Sequence, residues 1–569
     1  MFFSLLLRAS TAATVIALAG LTPALAQDAA ERALRAAVCS SATGSFEGAP
    51  RLLAGLGDYS LPLAGQSPIV QRWFDQGLVL AWGFNFAAAE ASMQEAARLA
   101  PDCAMCWWGV AYVPGPSVNH DLSEPERVRA HEAIERAHAL ALVSWTRASP
   151  RERQLIAALR LRHAQPEQTE RGPQERAYGL ALARLVAAHP RDADLLILAA
   201  EAQMVPRGRE YWSRNGAPQP WTPPILSLLE RALAVAPQHP GANHLYIHAL
   251  EDAPPRQVER ALTAAQRLAR IAPGVGHLVH MPAHVYFRLG RFDEAVRANQ
   301  AALEADRQQF ANGAASLAYE TGYGDHNHHF LWAAAMMAGR AQLAQEQALI
   351  LAAGAARHPR GSADHLRALP IYTAIRFGEW AALLRLTRPQ PHSAYTDGVW
   401  HVARGLARVR SGALDAAAIE LAAVERNLEV TARKQARFKN THELDVMLRI
   451  ARDLLAAELA AARGDYASAI ASATAAVAAE DGLDFDEPPA WHMPARHSLG
   501  AILLAAGRPV EAVAVYRLDL RLHPDNGWSL RGLANAYAQS GDLRAARKAE
   551  SAFTRVWQGA DRSISASRL

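Results

Sequence analysis

A helical unit of about thirty-four residues recurs in step along this chain, and it limits the possible folds more than any other feature. Leu499, Leu503, Gly507, Ala512, Tyr516 and Pro524 are followed thirty-four residues later by Leu533, Tyr537, Gly541 and Ala546, so all but the Tyr and the Pro return in register. A period of this length is that of two antiparallel helices. Such units bury their apolar faces only by stacking on one another, which predicts an elongated array with a concave side. Function is then expected on that side, and not in a pocket dictated by the fold.

The same grammar continues upstream with spacings that stretch and contract. Gly290-Arg291-Phe292 precedes Ala295, Gly339-Arg340 precedes Ala344, and Gly378-Glu379-Trp380 precedes Leu383. Gly412 precedes Ala417, Gly464-Asp465-Tyr466 precedes Ala469, and an earlier unit runs from Gly77 through Ala89 and Met93 to Pro101. Each glycine suits a turn where φ is positive, and each alanine lets two helices approach closely. Ala177 to Ala188 and Leu454 to Ala462 carry apolar residues at helical spacing, whereas strand-like alternation is scarce. With 569 residues, the chain exceeds what one compact core holds, and adding layers removes that limit. The predicted fold is all-α, a right-handed α-solenoid of tetratricopeptide-like helix pairs. The predicted divisions are residues 1–26, 27–70 as an N-terminal segment, 71–340 as an array with a histidine-rich groove, and 341–569 as a second array.

Residues 1–26 have the form of a cleaved secretory leader. Arg8 is followed by an apolar run from Ala12 to Leu21 and by Ala24-Leu25-Ala26 before Gln27. No later stretch has the length of charge-free apolar sequence that a membrane-spanning helix needs. A periplasmic or secreted protein without a membrane span is therefore expected. The net charge of +4 does not point to nucleic acid, because basic residues are interleaved with acids, and the densest run, Arg433 to Lys439, lacks stacking aromatics. All but three of the 59 Lys and Arg residues are arginine, a compositional bias and not a basic patch.

Cysteines exclude more than they prove. Cys103 and Cys106 sit near a helix start and make a plausible local disulfide in an oxidising compartment, while Cys39 offers an alternative partner to either. Covalent haem attachment would need His after the second Cys, where this chain has Trp107. A thioredoxin-like role would place the pair after a strand, and the context here is helical.

Histidines form the pattern with most chemical content. His244 and His248 are four apart, as are His280 and His284 with His277 one turn earlier, and Asp325-His326-Asn327-His328-His329 follows. Residues four apart share one helix face. Counted from the turn glycines, the three clusters fall on the first helices of consecutive units, so stacking would bring them into adjacent layers. His280, His284, His328 and His329 are the candidate metal ligands, for copper or zinc, with Asp325 or Glu320 as a candidate carboxylate. The tetrapeptide His-Met-Pro-Ala occurs at His280 and again at His492, and the Met residues are read as packing. His120, His244, His248, His277, Arg288 and His326 are read as lining a ligand groove. With Arg340, Arg367 and Arg496, that groove could also receive an anionic peptide end or small acid. The segment Pro114 to His120 reads as a turn or as a loop contributing Asn119 and His120. G-x-S-x-G, the phosphate loop and H-E-x-x-H are all absent, because His131-Glu132 has its next His at 138.

Gly77 to Trp108, Asn243 to His248, His277 to Arg291 and Asn327 to Arg340 together resemble a family of exported bacterial tetratricopeptide-repeat proteins of undefined biochemical role. The resemblance continues through Glu487 to Trp491 and His497 to Gly500 to Asn526-Gly527-Trp528-Ser529-Leu530. By that resemblance the first helices line the groove, with His280, His284, His326 and His329 facing it. It implies a binding or scaffold protein with a protein, peptide or small-ligand partner, and supplies no reaction. The alternative from the residues themselves is a metal-binding protein or metal-dependent enzyme.

Overall fold

The structure is a computed structural model, and it describes residues 50–143, 148–311, 316–439 and 442–569. The expected leader and Cys39 lie outside the described residues. Helices follow one another as antiparallel pairs, from Pro68–Trp82 with Phe86–Leu99 to Gly527–Gln539 with Leu543–Val556. Among the described residues, the only sheet is a two-stranded ribbon, Arg437–Phe438 against His442–Glu443. The chain is an all-α solenoid of tetratricopeptide-like pairs.

The turn glycines behave as their spacing predicts. Gly290, Gly339, Gly378, Gly412, Gly464, Gly507 and Gly541 all have positive φ, between 70° and 86°. Gly77 differs: it lies inside Pro68–Trp82, where a Cβ would meet the Met93 side chain at 2.7 Å. Its role is close helix approach and not a turn. The turn of that first pair instead places Phe84 at the left-handed position, with φ 56°.

The array winds back on itself. Trp528, fully buried, donates Nε1–H to the Met336 carbonyl at 3.2 Å, and the Gly290 turn abuts Pro524. Buried apolar residues form one cluster from Leu61 to Val285 and a second from Ala283 to Ile564, meeting at the helix Pro282–Arg288, with a smaller third between Ala457 and Ala549. The histidine helices therefore run through the middle of the molecule.

A concave face is present at the C-terminal end, and the chain's own last residues lie in it. First helices of consecutive pairs supply Tyr372, Arg376, Leu406, Arg410 and Leu454 to a cleft that Arg568 and Leu569 also line. There Arg410 donates to the Leu569 carbonyl at 3.0 and 3.1 Å, and Ser567 Oγ donates to the His497 carbonyl at 2.7 Å.

Two glycine substitutions separate backbone strain from crowding. At Gly412 a Cβ meets nothing within 4 Å, so Gly412→Ala is expected to cost only the left-handed backbone energy, about 1 kcal/mol. At Gly290 a Cβ would lie 1.9 Å from the Pro524 carbonyl oxygen, so Gly290→Ala is expected to cost at least about 3 kcal/mol. Urea denaturation of both variants checks the order; equal losses would refute it.

Candidate metal centre

Three consecutive first helices carry the histidines, the middle one divided at Met281 into two segments. Pro240–Leu250 supplies His244 and His248; Gly276–His280 supplies His277 and His280; Pro282–Arg288 supplies His284; and Asp325–Met337 supplies His326. The last of these begins after a π turn, Glu320–Gly324, an irregularity that re-aims side chains and recurs at functional sites. All but His326 are buried, and His326 keeps partial exposure. This corrects the expectation of an open groove: the imidazoles stand inside the protein because the turns wind back over them.

His280, His284 and His326 converge through one kind of nitrogen. The Nε2 atoms of His280 and His284 are 2.8 Å apart, and those of His326 and His280 are 3.1 Å apart. The Nδ1 atoms of His280 and His284 are committed elsewhere. Asn299 Nδ2 donates to the Ala295 carbonyl at 2.8 Å, which leaves Asn299 Oδ1 to accept from His280 Nδ1 at 2.6 Å. His280 thus carries its proton on Nδ1 and turns a bare Nε2 toward its neighbours. His284 Nδ1 donates to Glu487 Oε2 and also lies 3.1 Å from Glu251 Oε2. A ligating imidazole needs this arrangement, with one nitrogen held by an oxygen acceptor and the other free to bind.

His244, His248 and His277 form a second trio beside the first. The Trp82 carbonyl accepts from His244 Nδ1 at 2.5 Å, and His244 Nε2 faces His277 Nε2 at 3.1 Å. His248 Nδ1 donates to Glu251 Oε1 at 3.0 Å, while its Nε2 is buried with no hydrogen-bond partner. His277 Nδ1 is likewise buried and unpartnered. In each trio the candidate donor atoms lie within 4.8 Å of one another.

The electrostatics favour neutral imidazoles with one exception. Burial holds His244, His277, His280 and His326 well below the ordinary imidazole range, and neighbouring imidazoles add to the effect. Burial also opposes charge on His284, but Glu487 and Glu251 overcome it and lift His284 to about 9. Without an ion, His284 is an imidazolium whose Nε2–H donates to His280. For Glu251 burial works upward, yet His248 and His284 hold it well below the usual carboxylate range.

Other residues singled out from the sequence stand apart. His328 Nδ1 is 2.7 Å from Gln347 Oε1, and His329 stacks on Trp332 and approaches His365 and Phe438. The structure does not bring His328 or His329 to His280 and His284. His326 takes that place, and His328, two residues on, points away from it to Gln347. Asp325 pairs with Arg357 and His358, and Glu320 with Arg357, so neither is the carboxylate at the centre. His120 sits 3.3 Å from Glu126 with its ring against Phe86, outside both trios. Arg288 donates to the Ala253 carbonyl at 2.8 Å and lies over Phe485. Arg340, Arg367 and Arg496 pair with Asp293, Asp364 and Asp481, and none of them is placed at the histidine trios. His492 is buried against Trp332 and Tyr372. Cys103 and Cys106 are joined as a disulfide.

Glu251, Asn299, Glu487 and Phe84 complete the centre, and sequence reasoning did not assign them. Two had a readable signal. Glu251 follows His248 at helical spacing, and Asn299 is a polar residue in the Ala295–Asn299–Ala302 stripe that is otherwise apolar. Glu487 reaches His284 across 203 residues and had no local signal.

No protein-family model and no curated protein matches the chain. Solved structures to which it is similar include the human IFIT1 dimer with PPP-AAAA, at 12% identity over 84% of this chain and 89% of that one, TM-score 0.28. The APC/C hetero-tetramer Cut9-Hcn1 matches at 13% identity over 86% and 74%, TM-score 0.27, and yeast Tom70 at 10% over 84% and 92%, TM-score 0.24. At these TM-scores none of them bears on what this chain does.

Asp306 supports the second trio from behind and gives a pH signature. It accepts from Tyr319 OH at 3.1 Å and from Asn327 Nδ2 at 2.7 Å, and Tyr319 OH in turn accepts from the His277 N–H at 3.2 Å. Burial raises its carboxyl to about 6 against the lowering effect of those two donors. An acid whose folded value is raised contributes stability that is full below its unfolded value and lost as pH rises through the folded one. Relative to Asp306→Asn, the wild-type chain is expected to lose roughly 2 kcal/mol between pH 4 and pH 7. Denaturation of both proteins across that range checks this; parallel pH profiles would contradict it.

Proposed function

We propose that this chain is an exported metal-binding protein that holds a zinc or copper ion on Nε2 of His280, His284 and His326. The observation carrying the proposal is the pinned orientation of the rings: Asn299 and Glu487 take the Nδ1–H groups of His280 and His284, leaving their Nε2 atoms convergent at 2.8 Å. Two imidazole nitrogens on one tetrahedral ion at about 2.0–2.1 Å would lie roughly 3.3 Å apart, so small rotations of these rings suffice. A set made only of imidazoles suits zinc and copper better than magnesium or calcium. Three nitrogens leave a fourth position for water or a small ligand. His326, the partly exposed member, is the side from which an ion would enter. The Cys103–Cys106 disulfide and the leader-like residues 1–26 support an oxidising, exported location.

Binding competes with protons. His284 must give up its Nε2 proton, held to about 9 in the metal-free chain, so uptake releases a proton and weakens as pH falls. A scaffold role is compatible with the same fold, since arrays of this kind present extended binding surfaces. The cleft at Arg410 and Tyr372 is a candidate surface for it, with residues Ser567–Leu569 in place of a partner.

Metal analysis of the full chain after equilibration with zinc and with copper, then dialysis, tests the proposal. Retained ion is expected in the wild type and is expected to be lost in His280→Ala and His326→Ala. Asn299→Ala, which frees the His280 tautomer without touching the ion, is expected to weaken affinity about 10–100-fold. A metal at a hundred times its dissociation constant should add about 2.7 kcal/mol of stability. Protein that retains neither metal, or that binds equally well in all three variants, would rule the site out.

A further inference from the structure

We infer that His244, His248 and His277 hold a second ion, so that the loaded protein carries a two-ion centre with the Glu251 carboxylate linking its halves. The inference rests on the first site being a metal site and extends it across the seam between two repeat units.

Four observations carry it. The His244 proton is fixed on Nδ1 by the Trp82 carbonyl, and the His248 proton on Nδ1 by Glu251 Oε1, which turns both Nε2 atoms inward. His248 Nε2 and His277 Nδ1 are buried without hydrogen-bond partners, a costly state for a polar atom in an apolar interior and one that coordination at the trio would relieve for His248. Glu251 stands between the trios: its Oε1 accepts from His248 Nδ1 at 3.0 Å, and its Oε2, buried without a hydrogen-bond partner, lies 3.1 Å from His284 Nδ1 as an ion pair. Finally, the trios are adjacent: the His277 and His280 rings are 5.9 Å apart by centroid, and the His248 and His284 rings 6.4 Å.

The covering of this second trio is itself built at a cost. Phe84 lies 4.6 Å from the His244 ring, 5.1 Å from His277 and 5.7 Å from His248, with Tyr323 closing the His277 side at 4.8 Å. To reach that position Phe84 takes the left-handed backbone that glycine occupies in the other turns, φ 56°. Strain of this kind persists where surrounding structure requires it, and here it sets an aromatic ring over three imidazoles. The ring keeps bulk water from their nitrogens.

Copper(II) titration of the metal-free full chain, read by bound stoichiometry and by electron paramagnetic resonance, tests the inference. Two ions are expected in the wild type, with a signal broadened or lost through coupling between the spins. His248→Gln and His277→Gln, checked for native helical circular dichroism, are each expected to retain one ion with the sharp signal of an isolated centre. His326→Gln is expected to do the same from the other side. Glu251→Gln is expected to keep both sites but to alter the affinity of the second ion when the first is present. One ion bound, lost only in His326→Gln or His280→Gln, would overturn the second site and leave the first intact. One ion lost only in His248→Gln or His277→Gln would overturn the first and, with it, the pair. Two ions with no magnetic coupling would overturn the shared centre.

Discussion

The bond between His284 and Glu487 is the contact on which the centre depends. It joins residues 203 apart in sequence and so exists only because the solenoid winds back far enough for the segment before the helix Ala495–Ala505 to reach the helices Gly276–His280 and Pro282–Arg288. Without Glu487, His284 would keep only Glu251, and the ring could rotate its Nε2 away from His280. With Glu487 in place, burial of six imidazoles in one region becomes tolerable: one is charged and paired with carboxylates, and the others are neutral. A hydrophobic interior accepts polar groups on those terms.

Repeat architecture explains how such a density of imidazoles arises. Each first helix presents a comparable position to the interior, and residues at i and i+4 double the contribution of a single helix. His244 and His248, and His280 and His284, are two such pairs in successive layers. His277 and His326 complete the trios from a neighbouring turn and a neighbouring layer. The outer partners are less regular, coming from a backbone carbonyl at Trp82, an amide at Asn299 and carboxylates at Glu251 and Glu487. These partners hold the Nδ1–H of His244, His248, His280 and His284 and so turn the Nε2 atoms of those four rings inward.

Much of the fold was legible in the sequence, because Gly, Ala and Pro at fixed offsets report turns and close helix approaches directly. The glycines from Gly290 to Gly541 take the predicted left-handed turns, while Gly77 shows the limit: a glycine alone does not distinguish a turn from a crowded helix face. Helical spacing also placed His244, His248, His280 and His284 on shared faces. It could not decide among His326, His328 and His329, since the π turn Glu320–Gly324 changes the phase of that helix. Nor could it tell a groove from an interior, which depends on how far the superhelix closes. Phe84 was invisible for another reason. Its slot belongs to glycine in the other turns, and only the fold shows that a ring was placed there against its backbone preference.

X-ray absorption at the metal edge of the loaded full chain is the most direct measurement of whether these rings coordinate. A first shell dominated by imidazole nitrogen at about 2.0–2.1 Å is expected, with the outer-ring scattering that several rigid imidazoles produce. A shell of sulfur, or of oxygen without imidazole scattering, would contradict it.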